Sequence, residues 1–424
     1  MGPGVLSTNS AAFPRKGNDL FCEEVSLAEI AEQHGTPLYV YSRTAIQERY
    51  RELDWALGPV PHLIAYSVKA NGNLGVLRAL AEMGAGADIV SGGELHRALL
   101  AGIPAERIVF SGVGKTAPEM AAALDAGIHG FNVESEGELR LLSEVAHQRG
   151  VRAPVALRVN PDVQSPTPHA YTRTGHAATK FGIPMRQALA LYREAATLPG
   201  IHVRGVDVHI GSQILQPEPY LLALVQVLEL VEKLAHEGMG LDYLDLGGGL
   251  GIAYSGEEGI SASAFADAVV PHVESTGLQL VVEPGRYIVG AAGLLITRVL
   301  YVKEGGGKRF VITDAGMNDL LRPSHYEGYH RVELVRRRGR ERVLADVVGP
   351  ICETGDFLAL DREIELPEPG DLVAIFTVGA YGFSMSSTYN QRPRPAEVLV
   401  EDNQVMLVRR RETIGDLVAG EVGL

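Results

Sequence analysis

Short apolar runs alternate with longer amphipathic stretches from about residue 37 to residue 283. The runs "PLYVYS", "HLIAYSV", "ADIVS", "RIVFSG", "HGFNVES", "VALRVN", "VRGVDVHIG", "YLDLGGG" and "LQLVVEP" carry strand composition. Stretches such as "GELHRALLAG" and "EGELRLLSEVAHQRG" between them have helical spacing. Repeated strand-then-helix units predict a parallel sheet. Eight or so of them favour a closed (β/α)8 barrel, a TIM-like α/β fold, over an open sheet. An internal echo supports repetition: "GADIVSGGEL" and "HGFNVESEGEL" both read as strand, polar loop and helix start, with their Glu-Leu pairs 44 residues apart.

After about residue 284 the pattern changes. "GLLITRVLYVKE", "KRFVITDAG", "DLVAIFTVGAYG" and "AEVLVEDNQVMLVRRRE" are β-rich, and "EDNQ" separates two apolar runs as a hairpin turn would. The expected division is therefore a barrel over 37–283 and a C-terminal β domain, a sandwich or barrel, over 284–424. Residues 1–36 are too poor in apolar positions to stand alone and are expected to join the β domain.

With 424 residues and 46% hydrophobic positions, the chain has enough core for about two domains. A net charge of −14 argues against nonspecific binding to nucleic acid or to an anionic membrane. Cys22 and Cys352 are the only cysteines, which excludes a disulfide framework and a multi-cysteine zinc site. No signal peptide is visible at the N-terminus. The best membrane-spanning candidate, "YIVGAAGLLIT", falls far short of the roughly 20 residues a bilayer needs. These features point to a soluble, cytoplasmic protein.

Polar residues close several of the apolar runs. Lys69 follows "HLIAYSV", where it either snorkels to solvent or serves a site. "FSGVGKT" ends like a phosphate-binding loop, but the first glycine it needs is Val109, so a turn into a helix is the better account. "DLGGGLG" places Gly247, Gly248 and Gly249 at a strand end, either as a flexible turn or as a phosphate cradle. His209 ends another run and has no second histidine at metal-ligand spacing, so no metal site is expected. Glu283 ends a third, before Pro284-Gly285-Arg286. Functional groups of barrel enzymes gather at the C-terminal ends of the strands, so these residues can converge despite their separation along the chain. A lysine, an acid, a flat imidazole and a glycine cradle form a set able to hold pyridoxal 5'-phosphate, an electron-sink cofactor.

These residues also carry a family likeness. "YSVKAN", "HIGSQ", "LDLGGGLGI", "EPGR", "MNDLLRPSHYEGYH", "GPICETGD" and "GAYGFSMSSTYN" occur in that order between residues 64 and 390. Taken together, they resemble the barrel-type, fold-type III pyridoxal-phosphate-dependent amino-acid decarboxylases, and within them the diaminopimelate decarboxylases. The resemblance implies that Lys69 is the Schiff-base lysine, that His209 stacks on the pyridine ring and that Glu283 pairs with its nitrogen. It places Ser212, Gly247, Gly248, Gly249, Pro284, Gly285, Arg286 and Tyr381 around the cofactor and its phosphate, and Asp88 and Glu94 near the lysine. Cys352 would be the proton donor, contributed by the second subunit of a head-to-tail homodimer with shared active sites. Arg286, Arg322, Tyr326, Glu353 and Tyr381 would bind the substrate. A far carboxylate suits guanidinium groups and a far ammonium suits a carboxylate.

The implied reaction is decarboxylation of meso-2,6-diaminopimelate to L-lysine and carbon dioxide, the last step of lysine biosynthesis. His325 departs from the apolar residue expected within "RPSHYEGYH". The alternatives are a decarboxylase of another basic amino acid, a racemase-like barrel enzyme, or a non-catalytic pyridoxal-phosphate-binding regulator. Glu283 speaks against the racemase, and the presence of both Lys69 and Cys352 against the regulator.

Overall fold

The computed structural model describes residues 12–163 and 179–423. By their internal contacts they divide into two units. One is Arg49–Ile252 with Glu258–Tyr287; the other joins the N-terminal stretch up to Glu48, Ala253–Glu257 and the chain from Ile288 onward.

The first unit is a ring of eight parallel strands, each hydrogen-bonded to the next in chain order. They are β1 (His62–Ser67), β2 (Gly86–Ile89), β3 (Ile108–Phe110), β4 (Gly130–Val133), β5 (Ala153–Asn160), β6 (Ile201–Val208), β7 (Tyr243–Asp245) and β8 (Gln279–Val282). The ring closes where β8 pairs with β1, Val281 opposite Leu63. Helices α1 (Leu74–Ala81), α2 (Gly92–Leu100), α3 (Ala117–Ala126), α4 (Glu136–Gln148), α5 (Met185–Thr197), α6 (Glu218–His236) and α7 (Ala262–Glu274) lie in the seven connections between consecutive strands. Strands covered on both faces must be apolar on both, which is why they read as near-continuous hydrophobic runs.

The echo noted in the sequence is structural. Ser91 caps α2 by accepting from Glu94 N, and Ser135 caps α4 by accepting from Glu138 N. Each glutamate reaches back in turn, Glu94 to Val90 N at 2.7 Å and Glu138 to Glu134 N at 3.0 Å. One orphan amide of the helix and the amide just before its cap are thereby satisfied at each helix start. Lys115 of "FSGVGKT" is buried against Gly112 O, Asn132 O and Glu138 Oε1, and Thr116 opens α3 with a capping box. That lysine is structural.

Towards the N-terminal ends of the strands, Leu63, Ala65, Val109, Ala156, Tyr243 and Val281 form an apolar cluster. Glycines make room for its one large ring. A Cβ on Gly130 would lie 2.5 Å from the Tyr243 hydroxyl, and one on Gly205 2.6 Å from the ring.

The second unit is a mixed sheet that also takes the N-terminal segment. Its long strand Gly293–Gly305 pairs with Lys308–Thr313, Leu372–Phe376 and Leu38–Ser42. The strands Ala396–Glu401 and Gln404–Arg409 form the hairpin expected at "EDNQ". Phe13, Leu20, Cys22 and Leu27 share a core with Leu294, Phe376 and Val398. The run "PLYVYS" departs from expectation, since Leu38–Ser42 runs parallel to Ala396–Glu401 in this sheet and is not a barrel strand. All five of its residues are buried. Covered on both faces, it has the same composition as a barrel strand, and its pattern alone cannot tell the two apart.

Overpacking at the Tyr243 ring gives a direct test of the interior. Gly205→Ala should lower unfolding free energy by about 1–3 kcal/mol, measured by urea denaturation. Tyr243→Phe, which removes only the hydroxyl from the same space, should be tolerated better.

Candidate active site

Lys69 sits where β1 gives way to a single 3₁₀ turn, Val68–Ala70. The turn is fixed from behind. Tyr66 donates to Asn71 O at 3.0 Å, Asn71 Oδ1 accepts from Asn73 N, and Asn73 caps α1 through Gly75 N. The lysine side chain stays about a third exposed (37%), with Nζ 2.7 Å from Oδ2 of the fully buried Asp88. Ser67 Oγ lies 2.7 Å from the same oxygen.

His209 follows β6 and accepts from Gly248 N through Nδ1 at 3.0 Å, which places its own proton on Nε2. Burial, with the Arg158 and Lys69 cations, drives its pKa well down, so the imidazole is neutral. The three glycines after β7 are not a flexible turn. A Cβ on Gly247 would lie 2.7 Å from His209 Nδ1, one on Gly248 2.1 Å from Glu283 O, and one on Gly249 2.3 Å from Gly211 O. Gly247 and Gly249 also have φ of +66° and +95°. Only glycine allows the ends of β6, β7 and β8 to come this close. Gly285 is pressed in the same way, since its Cβ would meet Ala70 Cβ at 2.9 Å, while Pro284 O accepts from Ser67 N. Arg286 donates to Ser212 Oγ at 3.2 Å.

Glu283 follows β8 and is 4% exposed. Its Oε1 accepts from Ser111 Oγ at 3.0 Å and Asn132 Nδ2 at 3.1 Å. Burial pushes its pKa up to about 7, Asp88 adds to the shift, and Lys69 and Arg158 oppose it. Glu94 is also pushed up to about 7, mainly by burial.

The expected barrel residues thus gather at the C-terminal ends of the adjacent strands β6, β7, β8, β1 and β2. Beside them lie groups that the sequence reading missed: Ser111, Asn132, Glu134, Arg158, Asp207 and Asp245, all buried. Their signal was a polar residue inside an apolar run, as in "GFNV", "ALRV" and "VDVH". Asp88, Asn132 and Asp207 come from β2, β4 and β6, and Glu283 follows β8. Side chains from alternate strands share a layer of a barrel interior, and here that layer is polar.

The remaining expected residues belong to the second unit. Arg322 is buried, with its guanidinium 5.2 Å from the Tyr254 ring centroid and 5.8 Å from that of Tyr326. Its Nε donates to His330 Nε2 at 3.4 Å. The exposed His325 stands edge-on to Tyr326, so a polar ring at this departure from the family pattern costs no buried contact. Tyr381 has a positive φ of 58°. Cys352 and Glu353 are exposed, on a loop that Asp356 anchors by accepting from Met317 N and Ile351 N, both at 2.6 Å. Cys352 N donates to Asn390 Oδ1 at 2.8 Å.

The raised pKa of Glu283 has a consequence for stability. Between the ordinary glutamate range near pH 4.5 and about pH 7, the folded protein keeps a proton that the unfolded chain releases. This group therefore erodes stability as pH rises through that window. Glu283→Gln in the cofactor-free protein should gain about 1–3 kcal/mol above pH 7 relative to the parent and lose that advantage below pH 4.5. Urea denaturation at the two pH values reads the difference.

A family model described as "Pyridoxal-dependent decarboxylase, pyridoxal binding domain" matches residues 43–290. A diaminopimelate decarboxylase of Pseudomonas aeruginosa is 53% identical, covering 96% of this chain and 98% of that one. The crystal structure of the Helicobacter pylori diaminopimelate decarboxylase complexed with L-lysine superposes with a TM-score of 0.89 at 41% identity, covering 92% of this chain and 98% of that one. The enzyme from M. jannaschii in co-complex with L-lysine gives 0.94 at 37% identity, covering 99% of each chain. With its eightfold barrel and a polar layer of this composition, the chain belongs to the diaminopimelate decarboxylase family of barrel-type, pyridoxal-phosphate-dependent enzymes.

Proposed function

We propose that this chain decarboxylates meso-2,6-diaminopimelate to L-lysine and carbon dioxide, with the barrel holding pyridoxal phosphate and the second unit recognising the substrate. The observation that carries the reading is Lys69, partly exposed at a strand end and paired with the buried Asp88, in the same ring of strand ends as Glu283. The groups at these strand ends fit the cofactor. A neutral imidazole offers a flat face for the ring, a carboxylate offers the partner for a ring nitrogen, and Ser212 with Arg286 offers donors for a phosphate.

When bound, the cofactor supplies the electron sink for breaking the bond to the α-carboxylate. Lys69 is the point of attachment, and Asp88 keeps its amine oriented. Glu283, held by Ser111 and Asn132, presents its carboxylate in one direction. His209, fixed by the Gly248 amide, covers the ring without adding charge. Gly247, Gly248 and Gly249 would hold the phosphate together with Pro284-Gly285-Arg286, and Tyr381 is a further candidate for it.

Arg286, Arg322, Tyr326, Tyr381 and Glu353 receive the substrate. Arg322 is the better defined of the two arginines there, since two aromatic rings and His330 flank its guanidinium. Buried charges that a shorter or singly charged amino acid would leave unpaired should reject it, by up to about 10⁴-fold. Cys352 delivers the proton to the α-carbon. Its exposed loop accords with supply from the second subunit of a head-to-tail homodimer.

Carbon dioxide and L-lysine release from meso-diaminopimelate, dependent on added pyridoxal phosphate, is the expected result; ornithine, arginine and lysine run as parallel substrates. Turnover of one of those instead would overturn the roles of Arg322 and Glu353. Cys352→Ala should lower kcat by about 10²–10⁴ with little change in cofactor affinity. Lys69→Ala and Cys352→Ala, each nearly inactive alone, should recover about a quarter of the parent activity when dissociated and mixed. No recovery would mean that each site draws both residues from one chain.

A further inference from the structure

Five buried carboxylates surround the upper barrel interior: Asp88, Glu134, Asp207, Asp245 and Glu283. Two cations answer them closely. Lys69 takes Asp88 at 2.7 Å and Arg158 takes Glu134 at 3.0 Å. Three carboxylates remain, and one oxygen from each of Asp207, Asp245 and Glu283 lies within 4.8 Å of the others. Three such charges cannot all persist at that spacing out of water.

The hydrogen bonds decide which member gives way. Asp245 accepts from Gly247 N at 2.8 Å and Asn132 Nδ2 at 3.2 Å. Glu283 accepts from Ser111 and Asn132. Asn132 Nδ2 also lies 3.1 Å from Ser111 Oγ, so its two hydrogens are shared among three acceptors. Asp207 stands in strand register between Arg158 and Asp245, yet Arg158 Nε comes only to 4.0 Å of its Oδ2. Its Oδ1 is buried with no hydrogen-bond partner among the described residues. A buried carboxylate oxygen without a donor is the costly place for charge, and a proton there turns a repulsive neighbour into a donor. The other groups that face it do not change this balance. Glu134 and Asp88 are committed to their own cations, and Tyr192 and Tyr243 have their pKa values raised by burial and stay neutral. Burial, with Glu283, drives the carboxyls of both Asp207 and Asp245 well above the usual range, so it is the hydrogen bonds that single out Asp207.

We propose that Asp207 is a neutral carboxylic acid, which relieves the trio of one charge, and so acts as a positioning residue that leaves Glu283 as the member that ionises beside the cofactor. The last clause rests on the cofactor reading above; the protonation of Asp207 does not.

The test is therefore made first without cofactor or substrate. Infrared difference spectra of the cofactor-free protein well above pH 7, where Glu283 and Glu94 have released their protons, taken as parent minus Asp207→Asn, should show the carbonyl stretch of a protonated carboxylic acid in the parent and none in the variant. Absence of that band in the parent overturns the proposal. So does its survival in Asp207→Asn with loss in Asp245→Asn, or a stoichiometric divalent cation in the purified protein. Should the variants fail to fold, parent protein labelled with ¹³C-aspartate serves: the band must shift, and a band that does not shift belongs to glutamate and overturns the assignment. The loaded enzyme tests the positioning role. Asp207→Asn, an uncharged donor of the same shape, should keep cofactor affinity and the pH profile of kcat within about threefold, while Asp207→Val should weaken affinity at least tenfold. Equal losses in both variants would overturn positioning. Failure to decarboxylate diaminopimelate would leave the infrared result standing, so the two readings fail separately.

Discussion

A barrel interior with more carboxylates than cations is the constraint to which the rest of this structure answers. Burying an unpaired charge is costly enough that a protein normally excludes it, pairs it or neutralises it. Here pairing dominates: Lys69 on Asp88, Arg158 on Glu134, and the hydroxyl of Ser111 with the amide of Asn132 on Glu283. What remains unpaired is concentrated at one point of the ring. A neutral His209 then matters as much as the charged groups, because a cation in its place would quench the field that the carboxylates create.

The scaffold is built to hold that point still. Layers alternate along the barrel axis, with an apolar cluster around Tyr243 below and the polar layer above. The glycines after β7 let three strand ends converge to distances that no other residue permits. Ser91 with Glu94 and Ser135 with Glu138 close the helix starts after β2 and β4, the strands that carry Asp88 and Asn132. Residues placed in this way cannot relax towards water when the pH or the ligand changes, and perturbed ionisation is then a lasting property of the site.

Much of this was legible in the chain. Strand-then-helix alternation is a strong signal, and the residues that end apolar runs stood out because each broke the pattern. Lys69, His209, Gly247 to Gly249 and Glu283 were visible for that reason. "PLYVYS" was misplaced because burial on both faces, not membership of a particular sheet, sets strand composition. Asn132, Arg158, Asp207 and Asp245 were passed over because a single polar residue inside a run looks like ordinary noise. They become meaningful only when ring closure sets Arg158, Asp207 and Asp245 in register. Arg322, Glu353 and Cys352 in the second unit were candidates only through motif likeness, since they carry no periodic signal.

The proposed chemistry depends on Lys69 as the lysine that would carry the cofactor. The most direct measurement is borohydride reduction of the protein loaded with pyridoxal phosphate, followed by proteolysis and mass spectrometry of the labelled peptide. The predicted result is stoichiometric pyridoxyl label on Lys69 alone. Label on Lys115, Lys180 or another lysine, or no stable label at all, would contradict it.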